Sequence, residues 1–318
     1  MQDILTFDAI RAASVRIASH VRCTPVLRCP ELEAELGGEL HFKCENFQEM
    51  GAFKLRGATN AVLSLPDAAL KKGVATHSSG NHGTALALAA KRRGVHACVV
   101  MPDNASAYKK RAVAEYGAEI IYCAPTQAGR EAALAEYVAK TGASVVHPYN
   151  DAAVMAGQGT AALELHEQVL GLDLVLAPLG GGGLLSGTAV ATHSLNPKAR
   201  VIGVEPLGAD DAWRSLKAGH IEPVAHPDTV ADGLRATIGP LTFAVLQEQA
   251  DEVVRVEEAD IVDAMRYIWE RMKILIEPSS AVPVAALRRR LVDVRGRRAG
   301  IILSGGNVDL DHLPWSGK

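Results

Sequence analysis

Aromatic side chains and net charge are both scarce in this 318-residue sequence, and each shortage excludes a class of protein. Only 4% of the residues are aromatic, whereas 48% are hydrophobic and 29 are glycine, a composition typical of an α/β fold and unlike that of a β-sandwich. The net charge is −3, with both signs interspersed, so the sequence indicates no surface for nucleic acid or for a membrane. A chain of this length forms one large domain or two.

Paired cysteines and long apolar runs are also missing. The five cysteines are odd in number and contain no CxxC pair, which argues against a disulfide framework and a zinc site and favours reduced thiols. The N-terminus, MQDILTFDAIRAA, has an early aspartate and no long apolar core, so it is unlike a secretory signal. No apolar run is long enough to span a bilayer. We therefore expect a soluble, cytoplasmic protein.

Strands and helices alternate regularly over residues 73–148. The sequence predicts strands at GVATHS, HACVVMP, AEIIYCA and SVVHPY, with helices at NHGTALALAAKRRG, ASAYKKRAVAEYG and TQAGREAALAEYVAKTG between them. Alternation at this spacing indicates a parallel sheet with helices on its faces. We interpret residues 73–148 as a small domain.

A second α/β unit follows a Gly-rich break at NDAAVMAGQG. Its predicted strands are DLVLAPLG, ARVIGVEP, DEVVRV and AGIILSGG, and its helices include TAALELHEQVL and EADIVDAMRYIWERM. Residues 1–68 contain the strand-like ELHFKCE but too little else to fold alone, so we assign them to the same domain as residues 152–318. The small domain is thereby inserted into a large one. A ligand is expected between the two, at the carboxyl ends of the strands.

The run GAFKLRG places Lys54 between Phe53 and Leu55, with glycines at both ends. Burial against apolar neighbours disfavours the ammonium form and lowers the pKa of a lysine, which makes its amine a nucleophile. The alternative is a lysine at a helix start whose stem lies on apolar surface. The local pattern leaves both interpretations open.

Four consecutive glycines in PLGGGGLLSG, residues 178–187, lie between a predicted strand and a helix. Backbone N–H groups freed at such a helix N-terminus form a phosphate site; a flexible loop is the alternative. A dinucleotide site fails on spacing, because Leu185 stands where GxGxxG needs glycine or alanine. No Walker-type GK[ST] is present. The loop therefore suits a single phosphate group.

Three further motifs have a chemical interpretation beside a structural one. SSGNHG (78–83) could bind an anion or simply cap a helix. SGGN (304–307) offers a serine that could cap or bond a ring nitrogen. EPLGADD (205–211) carries carboxylates that could bind Mg²⁺ or Ca²⁺, or form a solvated turn.

A buried lysine, a cradle for one phosphate and an anion-binding loop together fit pyridoxal phosphate. The sequence resembles the fold-type II pyridoxal-phosphate enzymes, specifically the serine/threonine dehydratase and serine racemase group. The resemblance covers nearly the whole chain and rests on motifs in the family's order: FKLRGA, SSGNHG, MAGQGT, PLGGGGL, GVEP..ADD, ADGL, WERMKILIEPSSA and LSGGNVDL. It implies a two-domain α/β fold like that of the tryptophan synthase β subunit, with parallel-rich sheets flanked by helices.

The resemblance also implies a role for each cofactor contact. Lys54 would hold the cofactor as a Schiff base, with Phe53 against its ring. Asn81 would bond its phenolic oxygen and Ser304 would face its pyridine nitrogen, a neutral partner that favours elimination. Glu277 would lie near the ring. Further contacts would come from the glycine loop and one glycine near the Schiff base: Gly180, Gly181, Gly182, Gly183, Leu184 and Gly233.

By the same resemblance, the substrate would be bound by the SSGNHG loop and two arginines: Ser78, Ser79, Asn81, His82, Arg130 and Arg235. In racemase-like members the second serine, Ser79, also faces the substrate opposite Lys54. A metal ion, Mg²⁺ or else Ca²⁺ or Mn²⁺, would be held by Glu205, the carbonyl of Ala209, and Asp211. A homodimer is expected on the same ground.

We therefore expect β-elimination of water from a β-hydroxy amino acid, giving a 2-oxo acid and ammonia. Serine or threonine ranks first as substrate, followed by 3-hydroxyaspartate, which two arginines would favour. The alternatives are an amino-acid racemase using the same site and, more remotely, a non-catalytic nucleotide-binding α/β protein. Ala52 replaces the family's usual serine, so one hydroxyl near Lys54 is missing. Thr84 replaces a common glutamine, which puts nucleotide activation in doubt. No feedback-regulatory segment is expected.

Overall fold

Two parallel-rich sheets with helices on their faces form the described chain, residues 4–316 of the computed structural model apart from Ser79 and Ser106. The strands, in chain order, are β1 (Val26–Leu27), β2 (Glu39–Cys44), β3 (Val74–His77), β4 (Ala97–Pro102), β5 (Glu119–Cys123), β6 (Ser144–Val145), β7 (Leu174–Pro178), β8 (Arg200–Pro206), β9 (Glu252–Val256) and β10 (Arg298–Leu303). The α-helices are α1 (Phe7–Ile17), α2 (Pro30–Leu36), α3 (Lys54–Ser64), α4 (Asp67–Leu70), α5 (Asn81–Arg93), α6 (Ala107–Ala114), α7 (Gln127–Thr141), α8 (Ala152–Gln168), α9 (Gly183–Leu195), α10 (Asp211–Ala218), α11 (Pro240–Gln249), α12 (Glu258–Met272) and α13 (Pro278–Arg288). None of these described helices is long and apolar enough to cross a membrane.

The smaller sheet has the order β5-β4-β3-β6, and all of its strands are parallel. Its strands and helices follow the predicted alternation, and α5 ends at Gly94, whose φ of +70° suits a glycine. The last strand, β6, is shorter than predicted because the chain turns at once: His147 Nδ1 accepts the backbone N–H of Asn150 at 2.9 Å. This turn directs residues 147–150 towards the other sheet.

The larger sheet has the order β1-β2-β10-β7-β8-β9, antiparallel only between β1 and β2. The N-terminal strand β2 lies against the C-terminal strand β10, with Phe42 opposite Ile301. The pairing of β2 with β10 places an N-terminal and a C-terminal segment of the chain in one sheet. The domain boundaries at residues 68, 73, 148 and 152 stay a prediction.

The predicted break at NDAAVMAGQG is wrong, because most of it is the start of helix α8. Asp151 caps this helix by accepting the N–H of Val154 at 2.9 Å. A Cβ at Gly157 would lie 2.6 Å from the Cα of Gly57. The glycines of this motif are thus there to let α8 pack closely against α3, and they do not interrupt the helix.

A buried ion network anchors the first turn of α3. The guanidinium of Arg56, fully buried, donates to both carboxylate oxygens of Glu45 at 2.8 and 2.9 Å and to Glu164 at 2.7 and 2.8 Å. Glu164 also accepts from the buried ammonium of Lys43 at 2.6 Å. The network joins α3 to β2 and α8, so it fixes where α3 begins.

Removing Arg56 should strongly destabilise the fold. Arg56→Met leaves Glu45 buried with no guanidinium, and breaking a buried pair on one side costs about 3–5 kcal/mol. Urea denaturation of the cofactor-free protein measures this free energy of unfolding. Arg200→Met is the matched control, since its pair with Glu252 is solvent-exposed and should contribute at most about 1 kcal/mol. Equal losses in the two variants would contradict the anchoring role.

Candidate active site

A cleft of about 1230 Å³ opens where strands of both sheets end. Its lining includes Ser78, which follows β3, Gly180, which follows β7, and Ser304, which follows β10. Loops at the carboxyl ends of parallel strands are where α/β folds bind ligands. The cleft therefore lies where the sequence predicts a ligand.

The GAFK segment is held against the SGGN segment by backbone pairing. Ala52 and Gly305 form an isolated antiparallel bridge, Phe53 N–H donates to Ser304 O at 3.0 Å, and Gly306 N–H donates to Gly51 O at 2.8 Å. Helix α3 starts immediately afterwards, at Lys54. This pairing brings the lysine to the carboxyl end of β10.

The Lys54 amine lies inside the cleft among apolar and carbonyl groups. Its Nζ donates to the carbonyl of Pro148 at 2.7 Å and lies 5.2 Å from the centroid of the Phe53 ring. Burial lowers the pKa of Lys54 to about 8, although the nearby charge of Glu277 acts to raise it. A larger share of this amine is therefore unprotonated at neutral pH than for a lysine in water.

The glycine loop forms a close-packed turn at the start of α9. Gly182 caps the helix with a φ of +91°, and a Cβ at Gly181 would lie 2.4 Å from the ring of Tyr149. A Cβ at Gly180 would lie 2.8 Å from the Cα of Leu234. The first N–H groups of a helix have no partner within it, so those of Gly183 and Leu184 are available to an anion.

Asn81, the first residue of α5, faces Glu277 across the cleft. Its Nδ2 donates to both Glu277 carboxylate oxygens, at 2.9 and 3.1 Å, and its Oδ1 accepts from Asn307 Nδ2 at 2.8 Å. Burial raises the pKa of Glu277 to about 8. These three residues come from three separate motifs and form one polar cluster beside Lys54.

Ser304 and Gly233 each lie against a serine of α13. Ser304 is buried, and its hydroxyl shares a 3.1 Å hydrogen bond with that of Ser280, which also donates to Gly305 O at 2.6 Å. Gly233 N–H donates to Ser279 Oγ at 3.1 Å. The start of α13 therefore sets the positions of both predicted cofactor contacts.

The predicted substrate residues are placed unevenly. Ser78 lines the cleft, with its hydroxyl accepting from Gly80 N–H at 3.3 Å, whereas Ser79 lies outside the described residues. The His82 ring is buried and its Nε2 hydrogen-bonds the carbonyl of Val146 at 3.0 Å. What His82 offers a ligand is therefore its backbone N–H in the first turn of α5.

Both predicted arginines line the same cleft as Lys54. Arg130 belongs to α7, and Arg235 follows the short 3₁₀ helix Asp232–Leu234. The guanidinium of Arg235 holds the carbonyl of Thr229, at 2.6 Å from Nη2 and 3.2 Å from Nε. The cleft thus has cationic side chains on both of its walls.

Two carboxylates of EPLGADD, those of Glu205 and Asp211, are buried, so the solvated-turn alternative does not hold for them. Glu205 accepts from the N–H groups of Ala212 and Trp213 at 3.1 and 2.7 Å, and Asp211 accepts from Ile238 N–H at 2.7 Å. Burial, with Asp211 nearby, raises the pKa of Glu205 well above its ordinary value. Among the described residues, no group of three or more His, Cys, Asp or Glu side chains is arranged for a metal ion.

Sequence analysis singles out none of three cleft residues that contact the candidate site: His147, Tyr149 and Asn307. The first two follow β6, and their position after a small-domain strand was the one signal that could have found them. Asn307 belongs to the SGGN motif, but its partners are distant in sequence. Local sequence patterns therefore identify residues with candidate chemical roles, such as Lys54, more readily than the residues that pack around them.

Comparison with known proteins gives a consistent result. The family described as pyridoxal-phosphate dependent enzyme matches residues 17–305. The chain is 51% identical to the beta-hydroxyaspartate dehydratase of Paracoccus denitrificans, over 98% of this chain and 99% of the relative. It is 47% identical to the serine racemase of Dictyostelium discoideum, over 97% of each. The structure of maize serine racemase superimposes with a TM-score of 0.94 at 44% identity, covering 97% of this chain and 95% of the other.

The pKa of Lys54 should fall further when Glu277 loses its charge. The Glu277 carboxylate raises the pKa of Lys54, so Glu277→Gln removes a stabilising anion and should shift the lysine pKa below about 8. Mass spectrometry of Lys54 acylation against pH, in the cofactor-free protein, measures this. Glu167→Gln, on the exposed side of α8, is the control and should leave the profile unchanged. An unchanged profile for Glu277→Gln would contradict the coupling.

Proposed function

The chain belongs to the pyridoxal-phosphate dependent enzyme family, and we propose that it catalyses β-elimination from 3-hydroxyaspartate, giving oxaloacetate and ammonia. The observation that carries the proposal is the shared cleft, which is lined by Lys54, by the glycine loop and by the two arginines Arg130 and Arg235. Because the members of this family are enzymes, the non-catalytic nucleotide-binding alternative is not favoured.

The residues of the cleft fit pyridoxal phosphate. We propose that Lys54 would bind it covalently, that the loop from Gly180 to Leu184 would hold its phosphate, and that Asn81 and Ser304 would bond its ring substituents. The glycine loop supports this because a side chain at Gly180 would clash with Leu234 and one at Gly181 with Tyr149. When bound, the cofactor withdraws electrons from the carbon next to the substrate's amino group, so that the proton on that carbon can be removed.

The Lys54 amine is the proposed general base. Its lowered pKa leaves a larger share of it unprotonated at neutral pH than for a lysine in water, and its contact with the Pro148 carbonyl keeps Nζ inside the cleft. Nζ, freed when the substrate's amino group displaces it, would take the α-proton of the substrate and pass it to the β-hydroxyl, which would leave as water. A water molecule later returns to the product, so that the net change is release of ammonia and a 2-oxo acid.

The substrate carboxylates would be held at opposite ends of the cleft. The α-carboxylate suits the start of α5, where Ser78 and the first backbone N–H groups of the helix lie. The second carboxylate suits Arg130 and Arg235, since a guanidinium binds a carboxylate through two parallel hydrogen bonds. The relative from Paracoccus, whose described substrate is beta-hydroxyaspartate, supports this choice over serine or threonine.

Arg130→Met should reduce activity on 3-hydroxyaspartate selectively. Losing a charge-assisted hydrogen bond costs roughly 1.5–3 kcal/mol, so kcat/KM should fall about 10- to 100-fold. The value for serine, which has no second carboxylate, should change about twofold at most. Release of 2-oxo acid from both 3-hydroxyaspartate diastereomers, serine and threonine measures this.

Two controls complete the panel. Lys54→Ala should abolish 2-oxo acid release together with the visible absorbance that borohydride bleaches. Arg289→Met, on an exposed pair with Asp260, should behave as the wild type. Equal losses for serine and 3-hydroxyaspartate in Arg130→Met would remove the argument for a dicarboxylic substrate.

Racemisation is the second candidate activity, favoured by the similarity to serine racemases. It requires an acid or base on the face of the substrate opposite Lys54, the role that the resemblance gives to Ser79. Chiral analysis of serine incubated with the wild type and with Ser79→Ala tests it. Racemisation that survives in Ser79→Ala would assign that role elsewhere. We also propose a homodimer, from the resemblance alone, and a cytoplasmic location, which the reduced thiols indicated by the cysteine pattern favour.

We further propose that Glu205, Asp211 and the carbonyl of Ala209 bind a divalent cation. Burial raises the pKa values of Glu205 and Asp211, that of Asp211 to about 6. This supports the proposal, because a bound cation would offset the cost of burying the two carboxylates. Glu205 also accepts from the first N–H groups of α10, and these hydrogen bonds would hold its carboxylate in place for the ion. Mg²⁺, Ca²⁺ and Mn²⁺ are all oxygen-binding candidates.

Millimolar Mg²⁺ should raise the unfolding temperature of the wild type but not of Glu205→Gln. A ligand at 100 times its Kd stabilises a protein by about 2.7 kcal/mol. Trp213 fluorescence gives a second readout, since the indole ring lies 3.6 Å from the guanidinium of Arg255 and the backbone N–H of Trp213 donates to Glu205. Glu252→Gln is the control. A Mg²⁺ response retained in Glu205→Gln would exclude this site.

A further inference from the structure

Asn307 contacts three of the motifs that build the cleft. Its Nδ2 donates to the Met50 carbonyl at 2.9 Å and to Asn81 Oδ1 at 2.8 Å. Its backbone N–H donates to a Glu277 carboxylate oxygen at 3.1 Å. One side chain with its backbone therefore links the GAFK, SSGNHG and IEPSSA segments.

The space around Asn307 explains the first glycine of GAFKLRG. Gly51 has a φ of +78°, and a Cβ there would lie 2.5 Å from Asn307 Oδ1. A side chain at residue 51 would therefore push the Asn307 amide away from Asn81. Both the backbone conformation and the close contact favour glycine, so the sequence keeps room for this amide.

Asn307 decides which way the Asn81 amide points. An asparagine amide has one acceptor and two donor hydrogens, and its orientation is set by its neighbours. Because Asn307 Nδ2 is a donor, it selects the Asn81 oxygen, and the Asn81 nitrogen then faces the cleft and Glu277. With the amide reversed, the Asn81 nitrogen would meet the Nδ2 of Asn307, which is also a donor and is held by the Met50 carbonyl.

We propose that Asn307 is a positioning residue, whose amide holds the Asn81 side chain with its N–H bonds directed at the cofactor's phenolic oxygen. The proposal rests on the proposed role of Asn81 as a contact of the bound cofactor. Asn307 itself acts through Asn81. The pair joins the start of α5, on the small sheet, to the residues that follow β10 of the large sheet.

Cofactor affinity of the apoprotein is the first test. Apoprotein titrated with pyridoxal 5′-phosphate, followed by absorbance, should show about tenfold weaker binding in Asn307→Ala, the size expected for one lost hydrogen bond. Asn307→Asp should be weaker still, because its carboxylate oxygens would face the Asn81 and Met50 oxygens. Asn46→Ala is the matched control: its Nδ2 also donates to a backbone carbonyl, that of Leu275 at 3.0 Å, and it should bind as the wild type.

A double-mutant cycle separates positioning from general structural support. If Asn307 acts through Asn81, then Asn307→Ala should weaken binding by less than about twofold in an Asn81→Ala background. Additive losses would overturn the proposal. The free energy of unfolding of each apoprotein is measured in parallel. If Asn307→Ala lowers it equally in the wild-type and Asn81→Ala backgrounds, Asn307 only stabilises the fold and does not act through Asn81.

A spectroscopic readout completes the test. Loss of a donor to the phenolic oxygen should shift the pH at which the bound cofactor's visible absorbance changes, and the shift should be the same in Asn307→Ala and Asn81→Ala. An unshifted titration in Asn307→Ala beside a shifted one in Asn81→Ala would contradict the inference. A wild type that binds the cofactor but does not act on 3-hydroxyaspartate would instead reject the proposed reaction and leave the positioning test intact.

Discussion

The buried ion pairs of Arg56 with Glu45 and Glu164 fix the first turn of α3, on which the rest of the candidate site depends. Lys54 lies two residues before Arg56, so the amine cannot move far without breaking these pairs. Buried pairs contribute little net stability, but they allow few alternative arrangements because an unpaired buried charge is costly. The network therefore acts mainly by specifying one position for the lysine.

Backbone pairing completes what the ion network begins. The bridge between Ala52 and Gly305 sets the segment before Lys54 against the end of β10, where Ser304 and Asn307 follow. Ala52 is fully buried, and a Cβ at Gly305 would lie 3.0 Å from its own Cβ. The alanine that departs from the family's serine thus occupies a tightly packed place, which accommodates a methyl group beside the pairing.

The strands and their order of alternation could be predicted because each is a short apolar run bounded by turn residues. The pairing of β2 with β10 could not, since residues some 260 positions apart leave no mark on local periodicity. The sequence predicts a break at the start of α8 because glycine ordinarily weakens a helix. In the structure, Gly157 instead allows α8 to pack closely against Gly57 of α3. In the site, Lys54 and the glycine loop carry local signals, whereas the place of Asn307 depends on partners from three segments.

The electrostatics of the cleft suit a base next to an anionic substrate. Burial lowers the pKa values of His77, His82 and His147, that of His147 to about 4, so these rings are neutral at pH 7. A protonated histidine beside Lys54 would lower the lysine pKa further and weaken it as a base. Because the histidines stay neutral, the positive charge available to substrate carboxylates comes from arginines on the cleft walls. The amine of Lys54 therefore has a larger unprotonated share than an ordinary lysine, in a cleft whose arginines would attract an anionic ligand.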